Sequence, residues 1–180
     1  MKKSVLSIVL TVVMLFSLTA TVWGSAWPVV DSGYCGYWDD NYSDRKNMTW
    51  QLMKDGTLEF FGEGYMEDFS YYSVPWKDYV DQIKEVVIYG LQDDLKSCIL
   101  SIGRYAFSGC KNLKKISIPV SVEIIGFAAF SGSGIESIHL PANLKTISTA
   151  AFSGCTNLKS VEFPEALTKI ESRAFEKSGL

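Results

Sequence analysis

The chain has 180 residues, 47% of them hydrophobic and 21% charged, with 17 basic side chains against 20 acidic ones and a single histidine. That length accommodates one domain, and the net charge of −3 excludes the basic footprint needed to hold a nucleic-acid backbone. One histidine leaves little material for nucleophilic triads or for histidine-based metal sites.

Lys2 and Lys3 open the chain, an apolar run follows from Val5 to Leu18, and small residues close it at Ala20, Gly24, Ser25 and Ala26. This layout predicts a secretory signal peptide over residues 1–26, because the apolar run is short for a span that takes ~20 residues. Without Lys2 and Lys3 the 17 basic side chains fall to 15, so the remaining chain is more acidic. No second apolar span follows, and the nearest cysteine after the leader is Cys35. The expectation is a secreted or extracellular, cell-surface protein with no membrane span after cleavage.

Residues 27–80 hold Trp27, Trp38, Trp50 and Trp76 with many Tyr and Phe. Trp50 and Leu52 alternate with polar residues, Asp55-Gly56 is a turn signal, and Leu58 and Phe60 alternate after it. This predicts a β-hairpin cap. Trp38, Tyr42 and Trp76 are read in two ways, as the apolar core of that cap or as ring platforms for a carbohydrate. Asp39-Asp40-Asn41-Tyr42-Ser43-Asp44 is rich in oxygen ligands, but Asp44 stands where a calcium loop needs glycine and Trp50 where it needs glutamate. It is read as a solvated loop, and no metal or cofactor is expected.

From residue 81 to 180 the chain repeats itself. Ile83, Val86 and Ile88 are read as the first rung, and Gly90 to Ser97 as a polar insertion. The pair Ala-Phe then recurs as Ala106-Phe107, Ala129-Phe130, Ala151-Phe152 and Ala174-Phe175, at steps of 23, 22 and 23. The columns Ile102, Ile125, Ile147, Ile170 and Leu113, Ile135, Leu158, Leu180 keep the same step. In Ile116-Ser117-Ile118 apolar and polar residues alternate, which is strand periodicity. Pro119, Pro141 and Pro164 end the strands, since proline cannot donate to a ladder. The one-residue slips fall in a single loop, which alternates between a longer Cys/Asn form and a shorter Ser-Gly form. Each coil would thus return one parallel strand beside the last. One coil's buried side chains do not offset the entropy of ordering it, so stability belongs to the array.

The period and the pattern Leu113-x-x-Ile116-x-Ile118 fit the leucine-rich-repeat signature. More narrowly, Ser101-Ile102-Gly103, Ala106-Phe107-Ser108-Gly109-Cys110, Asn112-Leu113 and Ile116-Ser117-Ile118-Pro119 resemble the BspA-like leucine-rich repeat family of bacterial surface proteins. The preceding segment resembles that family's N-terminal region at Cys35-Gly36, Thr49-Trp50, Asp55-Gly56-Thr57-Leu58 and Pro75-Trp76. The expected fold is a β-rich leucine-rich-repeat solenoid with coils of 22–23 residues. Parallel strands would form its concave face, and short helical turns or irregular segments its convex face, behind the N-terminal hairpin cap. The resemblance implies a protein that binds other macromolecules, foremost proteins, in adhesion or host and cell interaction, and the residue inventory gives no grounds to expect an enzyme. Carbohydrate or cell-wall binding by the N-terminal aromatics, and a spacer role in a larger surface protein, are the alternatives.

The binding surface of a solenoid is expected on the outward side chains of its strands, here Glu85, Val87, Lys115, Ser117, Ser137, His139, Ser160 and Glu162. Lys84, Lys114, Glu136 and Lys159 stand at the rim, and the row itself shows no aromatic column. Cys110 and Cys155 share a column two coils apart, ~10 Å by strand spacing and beyond the ~7 Å limit for a disulfide. They are expected to be unpaired, whereas pairing of Cys35 with Cys98 is left open. No terminal cap follows the last coil, so self-association through it is expected.

Overall fold

The computed structural model describes residues 29–36, 48–89 and 99–180. The leader, the run Asp39–Asp44, Trp38, the insertion and Cys98 lie outside the described residues. Twelve strands are described: β1 (Val29–Tyr34), β2 (Met48–Met53), β3 (Thr57–Gly62), β4 (Gly64–Tyr65), β5 (Glu85–Ile88), β6 (Ile99–Ile102), β7 (Lys115–Ser117), β8 (Ile124–Ile125), β9 (Ser137–His139), β10 (Thr146–Ile147), β11 (Ser160–Glu162) and β12 (Lys169–Ile170). The only helical segment among the described residues is a single 3-10 turn, Lys77–Tyr79. The chain is a β-solenoid of stacked parallel coils.

β1, β2 and β3 form an antiparallel meander, and the Asp55-Gly56 turn joins β2 to β3. The Asp55 carboxylate accepts the Thr57 amide at 2.9 Å, and Gly56 takes φ +94°, a conformation glycine adopts at little cost. β3 then pairs in parallel with β5, and β5 with β7, giving the order β1-β2-β3-β5-β7. The sheet therefore runs unbroken across residue 80, and residues 57–84 act as a coil without an Ala-Phe pair. β9 and β11 make a further parallel ladder on the same side of the coils. A second parallel sheet, β4-β6-β8-β10-β12, runs along the other side.

Between the sheets the phenylalanines stand in one file. Phe107, Phe130, Phe152 and Phe175 follow one another at ring separations of 5.3, 5.2 and 5.2 Å, with ring planes 27°, 2° and 6° apart. Each coil also donates backbone hydrogen bonds to the next. The amides of Phe107, Phe130 and Phe152 reach the carbonyls of Ala129, Ala151 and Ala174 at 2.7, 2.8 and 2.7 Å. Three-residue strands could not satisfy a coil's backbone alone, so this ladder under the Ala-Phe corner meets the rest of the requirement.

Two positions per coil adopt left-handed backbone. Tyr105, Ala128, Ala150 and Arg173 form one column, with φ between 51° and 58°. Gly109, Gly132, Gly154 and Lys177 form the other. The alternating loop lengths have a steric origin. A Cβ on Gly134 would lie 1.9 Å from the Lys111 carbonyl oxygen. The shorter Ser-Gly loop thus presses backbone to backbone onto the longer Cys/Asn loop.

The N-terminal end of the core is closed by Trp76, which is fully buried. Its ring stacks on Phe107 at 6.1 Å and 24°, and meets Phe60, Phe69 and Trp50 edge to face at 5.1, 5.3 and 5.7 Å. Trp76 is therefore the first ring of the phenylalanine file and no platform for a ligand. The reading of it as a carbohydrate contact is corrected by this burial.

Candidate functional site

Alternation along each strand of the first sheet sends one set of side chains into the core and the other outward. Val86 and Ile88 are buried, while Glu85 and Val87 are half-buried on the outer side. Ile138 is buried between exposed Ser137 and His139. Val161 lies between exposed Ser160 and Glu162, and Ile116 between exposed Lys115 and Ser117. All eight residues named from the sequence thus occupy outward positions, four on the first sheet and four on the β9–β11 ladder. Register brings them into files: Glu85 faces Lys115, Val87 faces Ser117, Ser137 faces Ser160, and His139 faces Glu162.

The parallel pairing of β3 with β5 extends both files into the N-terminal meander. Thr57 faces Glu85 and Glu59 faces Val87, while Gln51 faces Glu59 and Ser32 faces Gln51. The extension carries a built polar network. Gln51 Nε2 donates to Glu59 Oε2 at 2.6 Å, and the Tyr89 hydroxyl donates to Glu59 Oε1 at 2.9 Å. Tyr89 stacks on Phe61 at 4.8 Å with planes 8° apart. Burial first, then the hydrogen bond and charge of Glu59, push the Tyr89 hydroxyl above its ordinary pKa. It therefore stays a neutral donor at physiological pH.

Gln51, Glu59, Phe61 and Tyr89 were not legible as part of the face, and they give it the aromatic pair that the repeat row lacks. The signal was present in the alternation of Leu58 and Phe60, which leaves Glu59 and Phe61 on the opposite side. What was missing was the parallel partner.

At the rim, Lys114 Nζ lies 2.8 Å from Glu136 Oε1 and donates to the Gly134 carbonyl at 3.3 Å. The hydrogen bond from Lys114, then its charge, hold the Glu136 carboxyl below its usual pKa. Lys84, Glu85, Asn112, Lys114 and Lys115 line an open depression beside the strand ends.

The described thiols are closed to solvent. Cys110 and Cys155 are unpaired and fully buried. Desolvation pushes the Cys110 thiol to about 12 and raises that of Cys155, whose Sγ donates to the Phe130 carbonyl at 3.0 Å. Cys35 is also buried and raised, by desolvation and then by the charge of Glu67. A thiolate nucleophile is thereby disfavoured at all three. No helix among the described residues is long and apolar enough to cross a membrane.

Residues 92–180 match the model of the BspA type leucine-rich repeat region, in six copies. Among solved structures, the chain is similar to a leucine-rich repeat protein from Eubacterium ventriosum, with 23% identity and a TM-score of 0.57 over 78% of this chain and 40% of the other. It is also similar to a leucine-rich repeat protein from Bacteroides ovatus, with 30% identity and a TM-score of 0.49 over 78% of this chain and 33% of the other. The chain spans less than half the length of either relative. No curated protein matches it.

Proposed function

Residues 92–180 are a BspA-type leucine-rich repeat region, and from that premise we propose that the chain is a secreted, non-catalytic recognition protein that binds a protein ligand through the outward face of its first sheet and of the β9–β11 ladder beside it. The observation that carries the reading is the register of that face. Two files of outward side chains run side by side across the first sheet, Gln51, Glu59, Val87 and Ser117 in one and Thr57, Glu85 and Lys115 in the other, and the β9–β11 ladder on the same side of the coils adds Ser137 beside Ser160 and His139 beside Glu162. Within each sheet the groups are rigidly spaced by backbone pairing, which reduces the ordering cost of association.

Size supports a protein rather than a small ligand. Seven strands at ~4.8 Å spacing and four residues of rise give a face of about 30 by 13 Å, or roughly 400 Å². A stable complex buries about 800 Å² per partner. The ligand must therefore also cover a rim, and Lys84, Lys114 and Lys159 supply charge there. The leader over residues 1–26 supports an extracellular site of action, where adhesion to host or neighbouring-cell proteins is the expected use.

The test is binding of the purified chain to a panel of immobilised extracellular matrix and cell-surface proteins. Paired substitution of Lys115→Glu and His139→Glu is expected to weaken the strongest interaction at least tenfold. Asn143→Glu, an exposed change away from the strand face, is expected to leave it unchanged. Equal binding by all three proteins would remove the face from the mechanism.

A further inference from the structure

A second surface stands out beside the Ala-Phe corner. Tyr71 and Tyr72 project from the turn before Trp76 and are 54% and 74% exposed. Tyr71 meets Tyr72 at 4.9 Å and Tyr105 at 6.0 Å, and Tyr105 meets Phe127 at 5.3 Å. Their planes lie 88°, 83° and 73° apart, so the four rings form one zigzag ridge. A cation closes each end, with Lys77 Nζ 5.7 Å from the Tyr72 centroid and the Arg104 guanidinium 5.2 Å from that of Phe127.

The repeat gives no packing reason for this ridge. The position of Tyr105 is filled by Ala128 and Ala150 in the next two coils, and that of Phe127 by Thr149 and Ser172. The backbone of Tyr105, at φ +57°, is the one that Ala128, Ala150 and Arg173 adopt in the later coils, so the repeat sets the corner and leaves the choice of an aromatic side chain there unexplained. Two exposed tyrosines thus stand on two half-buried rings, outside the core and away from the strand face.

We propose that the Tyr72–Tyr71–Tyr105–Phe127 ridge binds a carbohydrate chain. A protein hot spot calls for pockets that shield anchors from water, and Tyr71 and Tyr72 stand open to it. The exposed rings of Tyr71 and Tyr72, continued by the half-buried Tyr105 and Phe127, instead suit the apolar C–H faces of sugar units, and phenol hydroxyls and cations suit sugar hydroxyls. The centroid separations are comparable to the length of one pyranose unit. Lys77 and Arg104 add attraction for saccharides that carry carboxylate or sulfate. The site is independent of the protein-binding face, so either can fail without the other.

The full chain is titrated with three probes: chitohexaose, a hexamer of galacturonic acid, and heparin. Binding of at least one probe is expected, with shifts of the ring resonances of Tyr71 and Tyr72 in the wild-type spectrum. The double variant Tyr71→Ala, Tyr72→Ala should weaken that binding at least tenfold with an unchanged circular dichroism spectrum, while Lys115→Glu leaves it intact. Binding by the two acidic probes alone, weakened by Lys77→Ala or Arg104→Gln, assigns an acidic saccharide; binding of chitohexaose assigns ring stacking as sufficient. No binding at millimolar probe, or binding that leaves the Tyr71 and Tyr72 resonances unmoved, overturns the proposal. So does a double variant that keeps its saccharides but loses a protein ligand.

Discussion

The indole Nε1 of Trp76 donates a 2.8 Å hydrogen bond to the carbonyl of Ala106. In every later coil the same alanine carbonyl is met by a phenylalanine amide from the preceding coil. Ala106 has no preceding Ala-Phe pair, and a side-chain N–H takes the place of the missing backbone donor. One residue thus supplies both the ring that starts the aromatic file and the donor that closes the hydrogen-bond ladder.

Trp50 lies 5.7 Å away from Trp76 and is buried too, but its Nε1 has no hydrogen-bond partner among the described residues. Replacement by phenylalanine removes similar ring volume at both sites, yet orphans a carbonyl only at Trp76. An unsatisfied buried group costs about 1–3 kcal/mol. Trp76→Phe is therefore expected to be the more destabilising change by ~1–2 kcal/mol, read as a difference in urea unfolding. Equal losses would contradict the capping role.

Phe130 is fully buried with a ring on either side, whereas Phe175 is half-buried at the last coil. Phe130→Ala is expected to cost about 3–5 kcal/mol, the range for large-to-small changes in a packed core. Phe175→Ala is expected to cost clearly less. Thermal unfolding of the two variants checks the order.

The two glycine-related columns predict opposite signs. Gly134→Ala drives a Cβ to 1.9 Å from the Lys111 oxygen, and either backbone must move, so a large loss of stability is expected. Lys177 occupies at φ +56° the column held by Gly109, Gly132 and Gly154. Lys177→Gly relieves a left-handed strain of about 1 kcal/mol and is expected to be neutral or stabilising. Denaturant midpoints for both variants test the pair.

Glu171 gathers three donors: Lys169 Nζ, the Thr149 amide at 2.9 Å and the Thr149 hydroxyl at 3.0 Å. The Lys169 hydrogen bond, then those from Thr149, lower its carboxyl from 4.5 to about 2. The unfolded chain takes up the proton near pH 4.5 while the folded one does not. The contribution to stability is therefore present above that pH and is lost as pH falls toward about 2. A carbon-detected titration should place the Glu171 midpoint near 2, and Glu171→Gln should remove that part of the acid dependence. A midpoint near 4.5 would show the three contacts to be unformed.

Much of the solenoid was legible because its signal is one residue type at one step. Phe107, Phe130, Phe152 and Phe175 fall in file, and the alternation around Ile116, Ile138 and Val161 placed the outward residues. The N-terminal coil was not legible as a coil. Its strand, Leu58-x-Phe60, carries the same alternation as any hairpin strand, and parallel pairing with Val86 and Ile88 leaves no local trace. Trp76 stands where the step calls for an Ala-Phe pair, which hid its place in the file. The second sheet escaped notice because pairs such as Ile124–Ile125 and Thr146–Ile147 are too short to show a period. The tyrosine ridge escaped for a different reason, since Tyr71 and Tyr105 are 34 positions apart and no repeat step joins them.

The most direct measurement is of nuclear Overhauser contacts among the phenylalanine rings in a ring-labelled sample. Cross-peaks are expected from Phe130 to both Phe107 and Phe152, and none between Phe107 and Phe152, which lie two rungs apart. A Phe130 ring without contacts to its two counterparts would contradict the stacked register on which the binding face depends.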